Sequence, residues 1–216
     1  MFLSRLILNS ASRQVCRELT DSYQMHRTIM TAFPDHLEGL SERVLFRVDT
    51  SHAERKTFLL VQSLTKPDWD NGSPAFSRNG SNSYLLSEPE VKEYNPQFSS
   101  GRKYFFRLRA NPTFKRKGKR LAWLSEEDQL QWLIRKGAAA GFKPGSVIIV
   151  PEGALRSRKH SAQSSDSNHT HNMNFLSVRF EGDLIAVDSD ALLSACKSGI
   201  GSGKGLGFGL LSLIPR

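Results

Sequence analysis

The sequence predicts an α+β protein built of two tandem ferredoxin-like units. Three observations predict it. Strand-like and helix-like segments recur near the start in the order β, α, β, β; a stretch rich in Pro, Gly, Asn and Ser from Lys66 to Ser100 interrupts that order; and a second mixed run of about four strands and two helices follows. The first unit is expected over residues 1–85, a linker over 86–100 and the second unit over 101–216.

Phe2 to Leu8 is mostly apolar and reads as a strand, followed by a helical pattern from Ser12 to Leu19. Asp21 offers an N-cap for a second helix running to about Phe33, where Pro34 ends it. Arg43 to Asp49 and Thr57 to Ser63 are rich in β-branched, aromatic and aliphatic residues and read as strands. The Pro- and Gly-rich stretch leaves room for one weak strand or turn. Lys103 to Arg109 opens the second unit as a strand, and a basic loop follows. Ser125-Glu-Glu-Asp is a helix start of the capping-box type, with the helix reaching Lys136 or slightly beyond and ending before Gly141. Strands are expected at Ser146 to Val150, Ala154 to Arg158, Asn174 to Phe180 and Leu184 to Val187, the last two joined by the turn Glu181-Gly-Asp. A short helix, Asp190 to Lys197, and a final apolar strand, Leu206 to Leu213, complete the unit. The polar segment 161–174 reads as a mobile loop at a hairpin tip.

Composition narrows the function. The chain has 216 residues and a net charge of +9, and nine basic residues with no acidic one lie between Arg102 and Arg120. That block equals the whole net charge, so the surplus forms a local field suited to a polyanion rather than a dispersed solubilising charge. Collagen-like, coiled-coil and wholly disordered classes are excluded. The longest aliphatic run, Val147 to Val150, is far too short to cross a bilayer, and Arg5 interrupts any signal-type apolar core. Cys16 and Cys196 lie far apart in no metal or redox spacing and read as thiols of a reducing compartment, so a cytoplasmic location is expected.

Four features bear on chemistry. On the second helix, Met25, Ile29, Ala32 and Phe33 share one stripe and belong to the core, while Tyr23, His26, Arg27 and Met30 fall on another sector. Tyr23, His26 and Arg27 bring together a positioning hydroxyl, a proton-transfer group and a cation for a phosphate, although by spacing alone the pattern also fits an ordinary surface histidine. The loop from Gly199 to Gly209 has glycine at every second position, including Gly201, Gly203, Gly205 and Gly207. It fits neither a dinucleotide fingerprint nor a Walker loop; a bare backbone presenting amides and Lys204 to phosphate, or a loop packed closely on a neighbour, both remain open.

The strand from Lys103 places Arg107 and Arg109 on one face, and Lys115, Arg116, Lys117, Lys119 and Arg120 extend a cationic strip suited to the phosphate rails of an RNA helix. Arg156, Arg158 and Lys159 add a further cationic cluster. His169 and His171 lack partners at ligand spacing, so no metal and no cofactor is expected.

Several pieces then match one family in order along the whole chain: Met1-Phe-Leu-Ser-Arg-Leu-Ile-Leu-Asn, Asp21-Ser-Tyr-Gln-Met-His-Arg-Thr, Arg43-Val-Leu-Phe-Arg-Val, Leu60-Val-Gln-Ser, Arg107-Leu-Arg-Ala-Asn-Pro with Gly118-Lys-Arg, and the Gly199 loop. The chain resembles the CasE (Cse3) type of CRISPR RNA-processing endoribonuclease, of the RAMP superfamily. The resemblance implies tandem ferredoxin-like folds, a CRISPR repeat RNA stem-loop as substrate, and partnership with other Cascade subunits, without a membrane. It places Tyr23 and His26 on the active-site helix with Arg27 beside them, and assigns RNA gripping to the basic loop and to Arg156 to Lys159. It implies metal-independent cleavage at the 3′ base of the stem by 2′-OH attack, leaving a 2′,3′-cyclic phosphate and a 5′-OH, with the hairpin retained. The other reading is a non-catalytic RNA-hairpin-binding subunit of the same superfamily.

Overall fold

The computed structural model describes residues 1–216 apart from 35–36, 38–41, 52, 71–73, 77, 79–81 and 161–169, and for 156–160 and 170–174 the backbone only. In the first unit, strand β1 (Phe2–Leu8) leads into helices α1 (Arg13–Thr20) and α2 (Ser22–Met30), then strands β2 (Leu45–Ser51) and β3 (Lys56–Ser63), and finally β4 (Glu90–Glu93). These strands pair antiparallel in the order β2-β3-β1-β4. In the second unit, β5 (Lys103–Ala110) is followed by a separate hairpin of β6 (Thr113–Arg116) and β7 (Lys119–Ala122), then helix α3 (Glu126–Ala139), β8 (Phe142–His160), β9 (Thr170–Ala186), helix α4 (Ser189–Ser198) and β10 (Leu211–Pro215). The order β10-β5-β9-β8 repeats the first sheet's arrangement of fourth, first, third and second strands, so both units are ferredoxin-like.

Each sheet buries one face on its own core. The first core gathers Leu6, Leu8, Met25, Ile29, Phe46 and Leu59, and the second Tyr104, Phe106, Leu108, Trp132, Phe180 and Leu192. The helix starts follow the capping logic: Asp21 accepts from the Tyr23 amide at 3.1 Å, and Ser125 accepts from the Asp128 amide at 3.2 Å. Among the described residues no helix is long and apolar enough to cross a membrane. Both cysteines are free, Cys16 exposed and Cys196 buried with its thiol pKa pushed up to about 12 by burial.

Four expectations change. The first unit reaches into the stretch expected as linker, because β4 pairs with β1 and the Tyr94 amide bonds the Met1 carbonyl. The basic loop is a hairpin, turned by Lys117 (φ 48°) and Gly118 (φ 75°) in the left-handed pair that two-residue hairpins use. Four short strands are in fact two long ones: β8 passes through two register shifts, at Pro144/Val147 and Pro151/Gly153, and β9 continues through Glu181-Gly-Asp. The last strand starts later than expected, because the Gly199 loop extends to Leu210 with a 3₁₀ turn at Lys204–Leu206. Of the tip expected as a mobile loop, 161–174, residues 161–169 lie outside the described residues, whereas 170–174 is strand, paired with β8 from Thr170 onward.

The units are pinned together by buried polar groups. Arg47 on β2, 3% exposed, pairs with Asp49 at 2.9 Å and donates to the carbonyls of Arg107 at 3.3 Å and Leu210 at 3.2 Å in the second unit. Gln62 donates to the Cys196 carbonyl at 2.7 Å. Burial alone would push the Asp49 carboxyl up, but the hydrogen bonds and charge of Arg47, with the charges of Arg107 and Arg109, hold it below its usual value. Asp49→Asn, which leaves the Arg47 charge largely uncompensated, is expected to lower unfolding free energy by about 2 kcal/mol. Because the folded pKa is depressed, this contribution is full above the usual carboxylate range and is lost as pH falls through the lowered value. Urea midpoints of wild type and variant, compared at pH 7 and in acid, check both the size and the convergence.

Candidate active site

Helix α2 is held in place before its functional face is considered. Glu18 at the end of α1 is 2% exposed, and its carboxylate accepts from Thr28 Oγ1 of α2 at 2.7 Å, Gln14 at 2.9 Å and the Tyr84 hydroxyl at 2.7 Å. Burial, then the Glu18 charge, pushes the Tyr84 phenol well above its usual pKa, so it remains a donor. On the core face Met25, Ile29, Ala32 and Phe33 are all buried, as the periodicity requires.

The adjoining sector carries His26, whose ring stacks over Phe46 of β2 with centroids 6.2 Å apart and planes 14° apart. His26 and Met30 face a cavity of about 350 Å³, with Arg43, Val44 and Glu42 ahead of β2 on one side and Lys204 and Gly205 on the other. The cavity therefore lies between the two units. Glu42, its carboxylate, is engaged in accepting from the Leu64 and Thr65 amides at 2.7 and 2.8 Å, whereas no ion pair to Arg43 or Lys204 occurs among the described residues. Burial, then the charges of Arg43 and Lys136, holds the Lys204 ammonium below the usual lysine range, which makes it a readier proton donor than a solvated lysine.

The Gly199 loop serves this site mostly by packing. At Gly199 (φ 75°) a Cβ would lie 2.9 Å from Leu45, and at Gly207 (φ 83°) 3.2 Å from Phe46, so the loop seats on β2 only with bare backbone. At Gly205 a Cβ would stand 3.6 Å from His26 Nε2, in ordinary contact with the imidazole, so the loop backbone lies beside that ring.

The profile of the CRISPR-associated protein family matches residues 1–215. The chain belongs to the CRISPR-associated protein family. It is 32% identical to the CRISPR-associated endoribonuclease Cse3 of Thermus thermophilus and 28% identical to the CRISPR system Cascade subunit CasE of Escherichia coli, with 100% of each chain covered in both cases. A solved structure of the CRISPR endoribonuclease Cse3 bound to 19 nt RNA has a TM-score of 0.81 to it, at 34% identity and 100% coverage of both chains.

In this CRISPR-associated protein the expected site residues divide. Tyr23 is half-buried one turn before His26, and Arg27 is exposed; neither lines the cavity. Arg156, Arg158 and Lys159 lie on the backbone of β8, a strand that packs against α2, but their side chains fall outside the described residues. Arg107 and Arg109 stand among carboxylates of other strands. The block holds no acid, yet the neighbouring strands supply carboxylates: Arg107 pairs with Glu181 and stands 3.6 Å from Asp49, and Arg109 pairs with Glu152 at 2.6 Å. Arg179 shares both Glu152 and Glu181, and Arg47 shares Asp49, so four arginines surround three carboxylates, and Arg107 and Arg109 are only partly compensated within the sheet.

Lys115, Arg116, Lys117, Lys119 and Arg120 are all exposed, without an ion pair among the described residues, on the β6–β7 hairpin that Phe114 and Trp123 brace by stacking at 4.1 Å. Arg43, which the sequence placed only within a matching strand segment and not among the site residues, lines the cavity together with Lys204 and Gly205 of the distant Gly199 loop.

Proposed function

We propose that this chain is a metal-independent endoribonuclease that cuts CRISPR precursor RNA at the 3′ base of the repeat stem-loop and keeps the hairpin within a Cascade complex in the cytoplasm. The relatives' names support the substrate and the assembly: Cse3 is called an endoribonuclease and is solved with RNA, and CasE is called a Cascade subunit. The observation that carries the reading is the cavity itself, in which one imidazole faces two cations drawn from different units, neither in an ion pair among the described residues.

The reaction needs no external nucleophile. The 2′-OH attacks the adjacent phosphorus, the 2′-O–P bond forms as the P–O5′ bond breaks, and the proton passes from the 2′-oxygen side to the leaving 5′-oxygen. The products are a 2′,3′-cyclic phosphate and a 5′-OH. His26 moves the proton, the task for which an imidazole is the usual side chain. Arg43 and Lys204 offset the negative charge that grows on the phosphorane-like transition state, the part for which the sequence offered Arg27. Tyr23, one turn away, orients the strand at the cavity mouth. The unpaired cations of β6–β7 grip the phosphates of the stem.

The test is direct. Labelled repeat RNA incubated with the purified chain in EDTA should yield a single cut at the 3′ base of the stem with a cyclic phosphate end. Protection of the RNA without a cut would favour the non-catalytic binding subunit instead.

A further inference from the structure

A second, smaller cavity of about 190 Å³ lies on the other side of the Gly199 loop from His26. Its walls include Lys115 and Arg120 from the β6–β7 hairpin, Trp132 and Lys136 from α3, and Gly201 and Ser202 from the loop. Three cations thus meet there, from β6, β7 and α3, and among the described residues no carboxylate lines the space. Lys115 and Arg120 are directly opposed across the hairpin, an arrangement of like charges that costs stability unless an anion sits between or beside them. The Ser202 hydroxyl is buried and has no hydrogen-bond partner among the described residues. It is a donor without an acceptor in a cationic recess.

The two cavities are neighbours. Residues 201 and 202 line one and residues 204 and 205 the other, and the charge of Lys136 in the smaller cavity is felt at Lys204 in the larger. We infer that the smaller cavity is a phosphodiester subsite, in which Lys115, Arg120, Lys136 and the Ser202 hydroxyl hold one backbone phosphate of the RNA strand beside the phosphate being cut. This rests on the endoribonuclease reading and adds Lys136 and Ser202 to it. The subsite couples the hairpin to the catalytic cavity: a strand gripped by β6–β7 passes over the glycine backbone and arrives at His26 in register.

The discriminating variant is Lys136→Met, which keeps the aliphatic stem packed on the helix and removes only the charge. The probe is a repeat stem-loop RNA, intact or with a single methylphosphonate at each position in turn. Lys136→Met should weaken binding about fivefold and make the slope of log K against log salt shallower by about 0.9, the signature of one lost phosphate contact. One methylphosphonate, at a position other than the cut, should weaken binding to the wild type and have no further effect on the variant. Lys136→Arg should restore both affinity and slope, and Ser202→Ala should weaken binding at the same phosphate.

Wild-type affinity and slope in Lys136→Met, or a methylphosphonate profile that stays the same in the variant, would overturn the subsite while leaving the endoribonuclease reading intact. RNA that binds with this profile but is never cut would overturn the endoribonuclease reading and leave the subsite. A wild-type chain that does not bind the stem-loop would overturn both.

Discussion

Replacing His26 by Ala should lower the single-turnover rate of RNA cleavage by about 10²–10⁴-fold, the usual worth of a positioned proton-transfer group. Binding of the stem-loop should change by no more than about twofold, since the loss falls on an interaction made in the transition state. The asymmetry follows from the architecture. His26 is fixed by its stacking on Phe46 and by the Glu18–Thr28 hydrogen bond that seats α2, and it faces a cavity rather than the hairpin that presents the exposed cations. The core side of α2 is formed by Met25 and Ile29, so the substitution leaves the helix packing intact. Rapid-quench cleavage together with filter binding on the same preparations separates the two effects. Wild-type cleavage by His26→Ala would falsify the assignment of the cavity as the catalytic site.

The second large effect belongs to the β6–β7 hairpin. Changing Lys115, Arg116, Lys117, Lys119 and Arg120 together to Gln should weaken RNA binding by about a hundredfold or more at physiological salt, and should make the salt slope shallower by about 4 if each cation neutralises one phosphate. Thermal stability should not fall. Arg116 stands opposite Lys119 and Lys115 opposite Arg120, so the wild-type hairpin carries cross-strand repulsion that the variant removes. A loss of binding accompanied by equal or higher Tm is therefore the expected pair of results. By contrast, neutralising Arg107 and Arg109 should cost less binding, because both are partly compensated by carboxylates that they share with Arg179 in the same sheet. An unchanged salt slope in the hairpin variant would show that the RNA is gripped elsewhere.

What the sequence could and could not reveal follows from the range of the interactions involved. The stripe Met25, Ile29, Ala32, Phe33 and the Asp21 cap were legible because both are set within a turn or two of helix. His26 was legible as a candidate for the same reason. The long β8–β9 pair was not, since its register shifts and Gly182 resemble turns until the partner strand is known; a Cβ at 182 would run into the Ser146 carbonyl, which is a cross-strand fact. The charge of Arg107 and Arg109 was legible, but its partial compensation by Glu181 and Glu152 was not. Arg43 was not singled out as a site candidate because the cavity that it lines is completed by Lys204 and Gly205 from the other unit. The glycine periodicity was visible, yet only the packing of Gly199 on Leu45 and Gly207 on Phe46 shows that most of these glycines serve contact between the units.

The central claim is that the RNA supplies its own nucleophile and that His26, Arg43 and Lys204 complete the chemistry without a metal. The most direct measurement uses two labelled repeat RNAs in EDTA, one all-ribose and one with a single deoxyribose on the 5′ side of the scissile phosphate. The all-ribose RNA should be cut once, at the 3′ base of its stem, and the deoxyribose RNA should bind equally well and stay whole. Cleavage of the deoxyribose RNA at the same bond, or no cleavage of either until a divalent ion is added, would contradict the account.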